Sequence, residues 1–96
     1  EIAWKARPEN PDYGYTLAYY QVQNGQTSVA KKTLEKVIST SPEYLSATGY
    51  LAQIYLQEGN KDKALQLYKN ALKVEGISEQ DRAAIQQSIA MLQQSM

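Results

Sequence analysis

The chain has no cysteine and no histidine. Their absence excludes disulfides, thiol nucleophiles and imidazole, the side chain most used as general base and metal ligand near neutral pH. Phenylalanine is missing too, so the aromatic content rests on eight Tyr and one Trp. No charge of one sign is in excess: ten Lys and Arg balance ten Asp and Glu in 96 residues. That balance leaves no net field to draw in nucleic acid or an anionic lipid surface. No apolar run approaches the roughly 20 residues that cross a bilayer. No basic-then-apolar leader and no initiator Met open the sequence at Glu1, which fits either mature protein or an excised fragment. A glycine-rich phosphate loop is lacking as well. Glu9, Asp12, Glu43, Asp62, Glu79 and Asp81 stand near turns or helix starts, where interaction with the helix dipole accounts for them. These absences predict a single small domain that is not an enzyme, with no cofactor and no metal.

What is present is helical periodicity. Three breaks punctuate the chain, at residues 8–12, 40–42 and 76–78, and between them apolar residues recur at spacings of three and four. The pattern predicts five helices, over about residues 12–24, 28–39, 42–58, 62–74 and 78–94. Gly25 closes the first, since glycine takes the left-handed cap position without a β-carbon clash. Val29, Leu34, Val37 and Ile38 are the expected buried side of the second. Ser41 is the expected cap of the third, with Pro42 at its first helical position. Gly49 lies inside that helix at a cost of about 1 kcal/mol relative to Ala, for which close packing against another helix is the expected compensation. Ala64, Leu67, Tyr68, Ala71 and Leu72 follow the period of the fourth. Ser78 with Asp81 opens the fifth as a weakened capping box. Its body carries Ala84, Ile85, Ile89 and Leu92, and a Gln-rich outer face suits a solenoid's terminal helix.

A longer period overlies the short one. Leu17, Ala18, Gln23, Gly25 and Ala30 recur 34 residues later as Leu51, Ala52, Gln57, Gly59 and Ala64. Such a unit buries its apolar face by stacking on its neighbours. The second copy, with Leu51, Ala52, Tyr55, Gly59, Ala64, Tyr68 and Ala71, resembles the tetratricopeptide repeat; Gly76 replaces the closing Pro. The first copy is similar through Leu17, Ala18, Gly25, Ala30, Leu34, Val37 and Pro42, but Gln21 stands at its first aromatic position. Gly14 and Thr48 occupy the place of the early Trp. The resemblance implies an all-α fold of antiparallel helix hairpins stacked as a short right-handed superhelix. It divides residues 1–96 into one domain: repeats at 11–44 and 45–78, a capping helix at 79–96, and at 1–10 the end of a preceding repeat or a lead-in. Ala3 and Pro8 lie 34 before Val37 and Pro42, which favours the former, with Trp4 on the last turn of a preceding helix.

First helices of such repeats line the concave face. The family register places Tyr15, Thr16, Tyr19, Val22 and Gln23 there, then Gly49, Tyr50, Gln53, Leu56 and Gln57. Ala83, Ala84, Gln87, Ala90 and Met91 continue it in the last helix. The resemblance therefore implies a neutral Tyr- and Gln-lined groove for a peptide or protein segment, with tyrosine offering an apolar body and a hydroxyl tip. The expected contacts are Tyr15, Tyr19, Val22, Gln23, Tyr50, Gln53, Leu56, Gln57 and Gln87. The three tyrosines read also as inter-helix packing residues with wet hydroxyls. A subset of the family clamps a C-terminal carboxylate with Lys, Arg and Asn; the matching places carry Tyr15, Tyr19, Tyr50 and Gln53, so that clamp is absent.

Other readings stay open: self-association through the end helices, with Trp4, Met91, Leu92 and Met96 as contacts, or a tethering domain of a larger enzyme. Nucleic acid is not an expected partner, because Lys31, Lys32, Lys36, Lys61, Lys63, Lys69 and Lys73 lie mainly on second helices, diluted by acids. Direct membrane insertion is not expected either. Family habit leans the compartment toward the bacterial periplasm or cell envelope over the cytoplasm.

Overall fold

The computed structural model describes residues 11–94. Among these, regular structure is entirely helical: α1 Pro11–Gln23, α2 Thr27–Thr40, α3 Leu45–Gln57, α4 Lys61–Ala71 and α5 Glu79–Gln94. Each helix packs on its predecessor, and α1 also touches α3 across the first hairpin. Three-residue connections after α1 and α3 force antiparallel neighbours. The result is α1/α2 and α3/α4 hairpins in series with α5 on the end. Ala3, Trp4, Pro8 and Met96 lie outside the described residues.

The 34-residue period has a backbone counterpart. α1 and α3 stop in the same way, at Gly25 with φ +79° and Gly59 with φ +80°. In the first stop, Gly25 N–H donates to Val22 C=O at 3.0 Å and Gln26 N–H to Gln21 C=O at 2.7 Å. In the second, Gly59 N–H donates to Leu56 C=O at 3.0 Å and Asn60 N–H to Tyr55 C=O at 2.8 Å. These paired bonds satisfy carbonyls that the helix end would leave orphaned, and they need a left-handed residue that only glycine adopts cheaply. Asn60 then starts α4, its side chain accepting from Lys63 N–H at 3.3 Å. Ser78 opens α5 with one half of the expected capping box, its hydroxyl accepting from Asp81 N–H at 3.0 Å.

The core runs along the hairpin seams. Ala18 and Ala52, and Ala30 and Ala64, are fully buried as register pairs; small residues at these places let the helices approach closely. Leu34 and Leu51 are the large side chains wholly removed from water, worth roughly 1.5–3 kcal/mol each. Leu17 is half-buried where Leu51 is buried. The register is shared, but α3 is enclosed by α1, α2 and α4, whereas α1 meets only α2 and the edge of α3 among the described helices.

Four sequence expectations are corrected. α3 begins at Leu45, not Pro42: Tyr44 N–H donates to Ser41 C=O at 2.9 Å, so Pro42 takes the first corner of a β-turn, which its fixed φ also suits. α4 ends at Ala71, not near Val74. Val29 is 47% exposed, because the buried stripe of α2 is Ala30, Leu34 and Val37 and Val29 sits about 100° round the helix from it. A β-carbon at Gly49 would meet nothing within 4 Å, so no close contact offsets that glycine. The close approach is at Gly14 instead, where a β-carbon would run into Val37 Cγ2. The missing tryptophan of the first repeat is thus replaced by direct contact of α1 with α2.

Candidate interaction face

The sequence places tyrosines four residues apart on α1, and the fold sets the N-terminal half of α3 beside them. Tyr15 is the hub. Its ring lies 5.5 Å from that of Tyr50, tilted by 54°, and 6.1 Å from that of Tyr44, at 76°. These are the offset and edge-on arrangements that aromatic quadrupoles favour. All three side chains are half-buried, and Tyr15, Tyr44 and Tyr50 pack against the core cluster. The row therefore acts as inter-helix packing.

At one end of the row the Tyr44 hydroxyl donates to Asp12 Oδ1 at 2.6 Å. The bond ties the turn before α3 to the first turn of α1. Asp12 is the chief reason that the Tyr44 phenol is pushed up to about 12, with burial adding to it; ionisation would face one anion with another. Tyr50 is also raised, first by burial and then by Tyr15 and Tyr19.

At the other end Tyr19 and Tyr20 stand out from the surface, 48% and 59% exposed. Their rings meet edge to face at 5.8 Å and 73°. Val22 and Leu56 are half-buried and packed on the core. Gln23, Gln53, Gln57 and Gln87 are exposed. Of the residues expected to form a groove, the structure brings Tyr15 and Tyr50 into ring contact. Sequence reasoning missed Tyr44 and Asp12. Tyr44 lies off the repeat pattern, with Asn10 and Ser78 at 34 residues on either side; only its place beside a proline turn marked it.

A second cluster joins α2 to α3. Tyr55, 7% exposed, donates its hydroxyl to Glu35 Oε2 at 3.0 Å. Burial raises its phenol, with the Glu35 bond second. Lys31 Nζ lies 5.2 Å and Lys63 Nζ 5.6 Å from the ring centre, within cation–π range. Lys31 also pairs with Glu58 at 2.8 Å. In the first repeat the equivalent of Tyr55 is Gln21, which accepts from Thr33 Oγ1 at 2.8 Å. A polar pair there takes the place of the aromatic contact.

Among the described residues no group of three or more Asp or Glu is placed to hold a metal ion. No described helix is long and apolar enough to cross a membrane.

Helix hairpins stacked in constant register define a solenoid of α-helical repeats. The chain belongs to the tetratricopeptide repeat family, whose sequence model matches residues 21–92; this is a scaffold family rather than a catalytic one. The chain is also similar to the antiviral innate immune response effector IFIT1 of Macaca fascicularis, 37% identical over 67 residues. The match covers 67% of this chain and 14% of that protein's length.

Proposed function

We propose that the domain is a protein-interaction scaffold that takes a peptide or protein segment along the face of α1 and α3. Tyr15, Tyr19, Val22, Gln23, Tyr50, Gln53, Leu56 and Gln57 make the contact, with Gln87 extending it onto α5. The observation that carries this reading is the tyrosine row: rings fixed by Tyr44 and Tyr50 lead to the exposed pair Tyr19 and Tyr20. Pre-ordered aromatic surface loses little side-chain entropy on binding, and tyrosine dominates the energetics of many interfaces. Exposed glutamines beside it supply both donors and acceptors for a peptide backbone. The IFIT1 likeness supports the repeat and not the effector activity, since so little of that protein is matched.

The test is selection of a displayed random-peptide library on the domain, followed by calorimetry. Selected peptides should lose about tenfold in affinity for Tyr19→Ala, a loss of about 1.4 kcal/mol. They should bind Lys32→Ala, a substitution on α2, unchanged. Peptides indifferent to Tyr19→Ala and to Tyr50→Ala would overturn the reading, as would a selection that yields no binder.

Self-association is the second reading, favoured by Met91, which is 63% exposed on the last helix. Under that reading sedimentation shows concentration-dependent assembly that Met91→Glu abolishes.

A further inference from the structure

The two junctions between successive first helices are not alike. At the α1/α3 junction the space is filled from within, by the rings of Tyr15 and Tyr50 and the bond from Tyr44 to Asp12. Adding 34 to each of these positions gives the α3/α5 junction: Gly49 for Tyr15, Ala84 for Tyr50, Ser78 for Tyr44 and Ser46 for Asp12. Every large side chain of the first junction has become small in the second. Where the rings are lost a cleft of about 330 Å³ opens, lined by Ser46, Gly49, Tyr68, Asp81, Ala84 and Ile85 among others. Three of the four substituted positions are on its wall.

We propose that this cleft receives a tyrosine side chain from the bound partner, which supplies the ring that the second junction lacks. The inference rests on the scaffold reading above and specifies what the partner presents. The occupant is argued from shape and charge. Shape comes from the first junction, where a phenol ring lies between α1 and α3. The apolar wall of the cleft is the buried Ile85 with the half-buried Leu45 and Tyr68, surfaces against which an aromatic face packs. The cleft volume of about 330 Å³ has room for one aromatic side chain.

Charge decides the polar end. Among the described residues the exposed Asp81 is the one charged residue on the wall, and no Lys or Arg lines the cleft. A carboxylate there asks for a donor and repels an anion. A phenol hydroxyl meets that need, as the Tyr44 hydroxyl does at Asp12 in the first junction. The Asp81 backbone N–H is already engaged by Ser78, which holds this residue at the start of α5. The same carboxylate disfavours a phosphorylated tyrosine.

The probe is N-acetyl-tyrosine amide, titrated into the isotope-labelled chain and followed by amide chemical shifts. Saturable shifts are expected at Gly49 and Ala84, with an affinity of about millimolar as befits so small a ligand. N-acetyl-phenylalanine amide should bind about fivefold more weakly through loss of the hydroxyl bond, and the O-phosphotyrosine analogue should leave these amides unmoved. Ala84→Tyr restores the first-junction residue at an exposed position and should abolish the shifts with an unchanged melting curve. Asp81→Asn keeps the backbone cap and should lower the discrimination against the phosphorylated probe. Shifts that are absent, or that fall at Tyr19 and Tyr20 instead, overturn the inference. If library-selected peptides bind through Tyr19 but lack an aromatic requirement and tolerate Ala84→Tyr, the cleft assignment fails and the scaffold reading stands. If such peptides carry a fixed tyrosine and are lost with Ala84→Tyr, both stand.

Discussion

Two mid-helix glycines show how far a residue's neighbourhood decides the sign of its effect. Gly14 and Gly49 both cost helix propensity, and in each a methyl group would restore about 0.5–1 kcal/mol. At Gly49 that methyl meets open space, so Gly49→Ala is expected to raise the unfolding free energy in urea by about 0.5–1 kcal/mol. At Gly14 it meets the Val37 side chain, and a β-branched residue in a helix has no second comfortable rotamer to retreat to. Gly14→Ala is expected to lower stability by about 1–3 kcal/mol in the same urea titration. The sequence made both glycines visible and assigned the tight contact to the wrong one. Periodicity says which face a residue lies on, but the distance to the next helix is set by the side chains on that helix. Tyr44 is the other residue-scale lesson. Its folded-state phenol is raised to about 12 by Asp12, above the ordinary value of about 10. The stability that this linkage contributes is fully present below pH 10 and is lost as pH climbs from about 10 to about 12. Tyr44→Phe should therefore cost about 1 kcal/mol at pH 8, and denaturation curves of the two proteins should converge as pH approaches about 12.

Elements begin and end where local chemistry permits, and here legibility was uneven. The stops were plain in the sequence: Gly25 and Gly59 close α1 and α3 with the same pair of hydrogen bonds. The start of α3 was not, because a proline after a serine reads equally as a helix start or a turn corner. The choice between them depended on Tyr44, whose ring is held by Tyr15 and whose hydroxyl is held by Asp12. Those contacts span nearly a whole repeat and leave no local trace. At the element scale Gly59→Ala is the informative change. With φ at +80°, an added β-carbon is strained by roughly 1–2 kcal/mol, despite the open space around it. Urea unfolding should show that loss with an unchanged m-value.

For the whole molecule, the fold class and register were readable from a single spacing, and the tyrosine packing between α1 and α3 only in part. Register predicts which helices are neighbours; it is silent on whether the interval between them is filled, and the difference between Tyr15 with Tyr50 and Gly49 with Ala84 is a matter of volume. Register also treats Leu17 and Leu51 as one position, whereas enclosure separates them. Leu51→Ala is expected to cost about 2–5 kcal/mol and Leu17→Ala about 1 kcal/mol by chemical denaturation. In a domain whose total stability is of order 5–10 kcal/mol, the first change leaves a protein on the edge of unfolding.

The helix α3 is gripped from both sides, by the tyrosine row toward α1 and by Tyr55, Glu35, Lys31 and Glu58 toward α2. The helix α5 leans chiefly on α4. A linear stack loosens from its least-attached member inward. Among the described helices deuterium should therefore enter the amides of α5 first and those of α3 last, so the wall of the cleft contributed by α5 is also the one expected to open most readily.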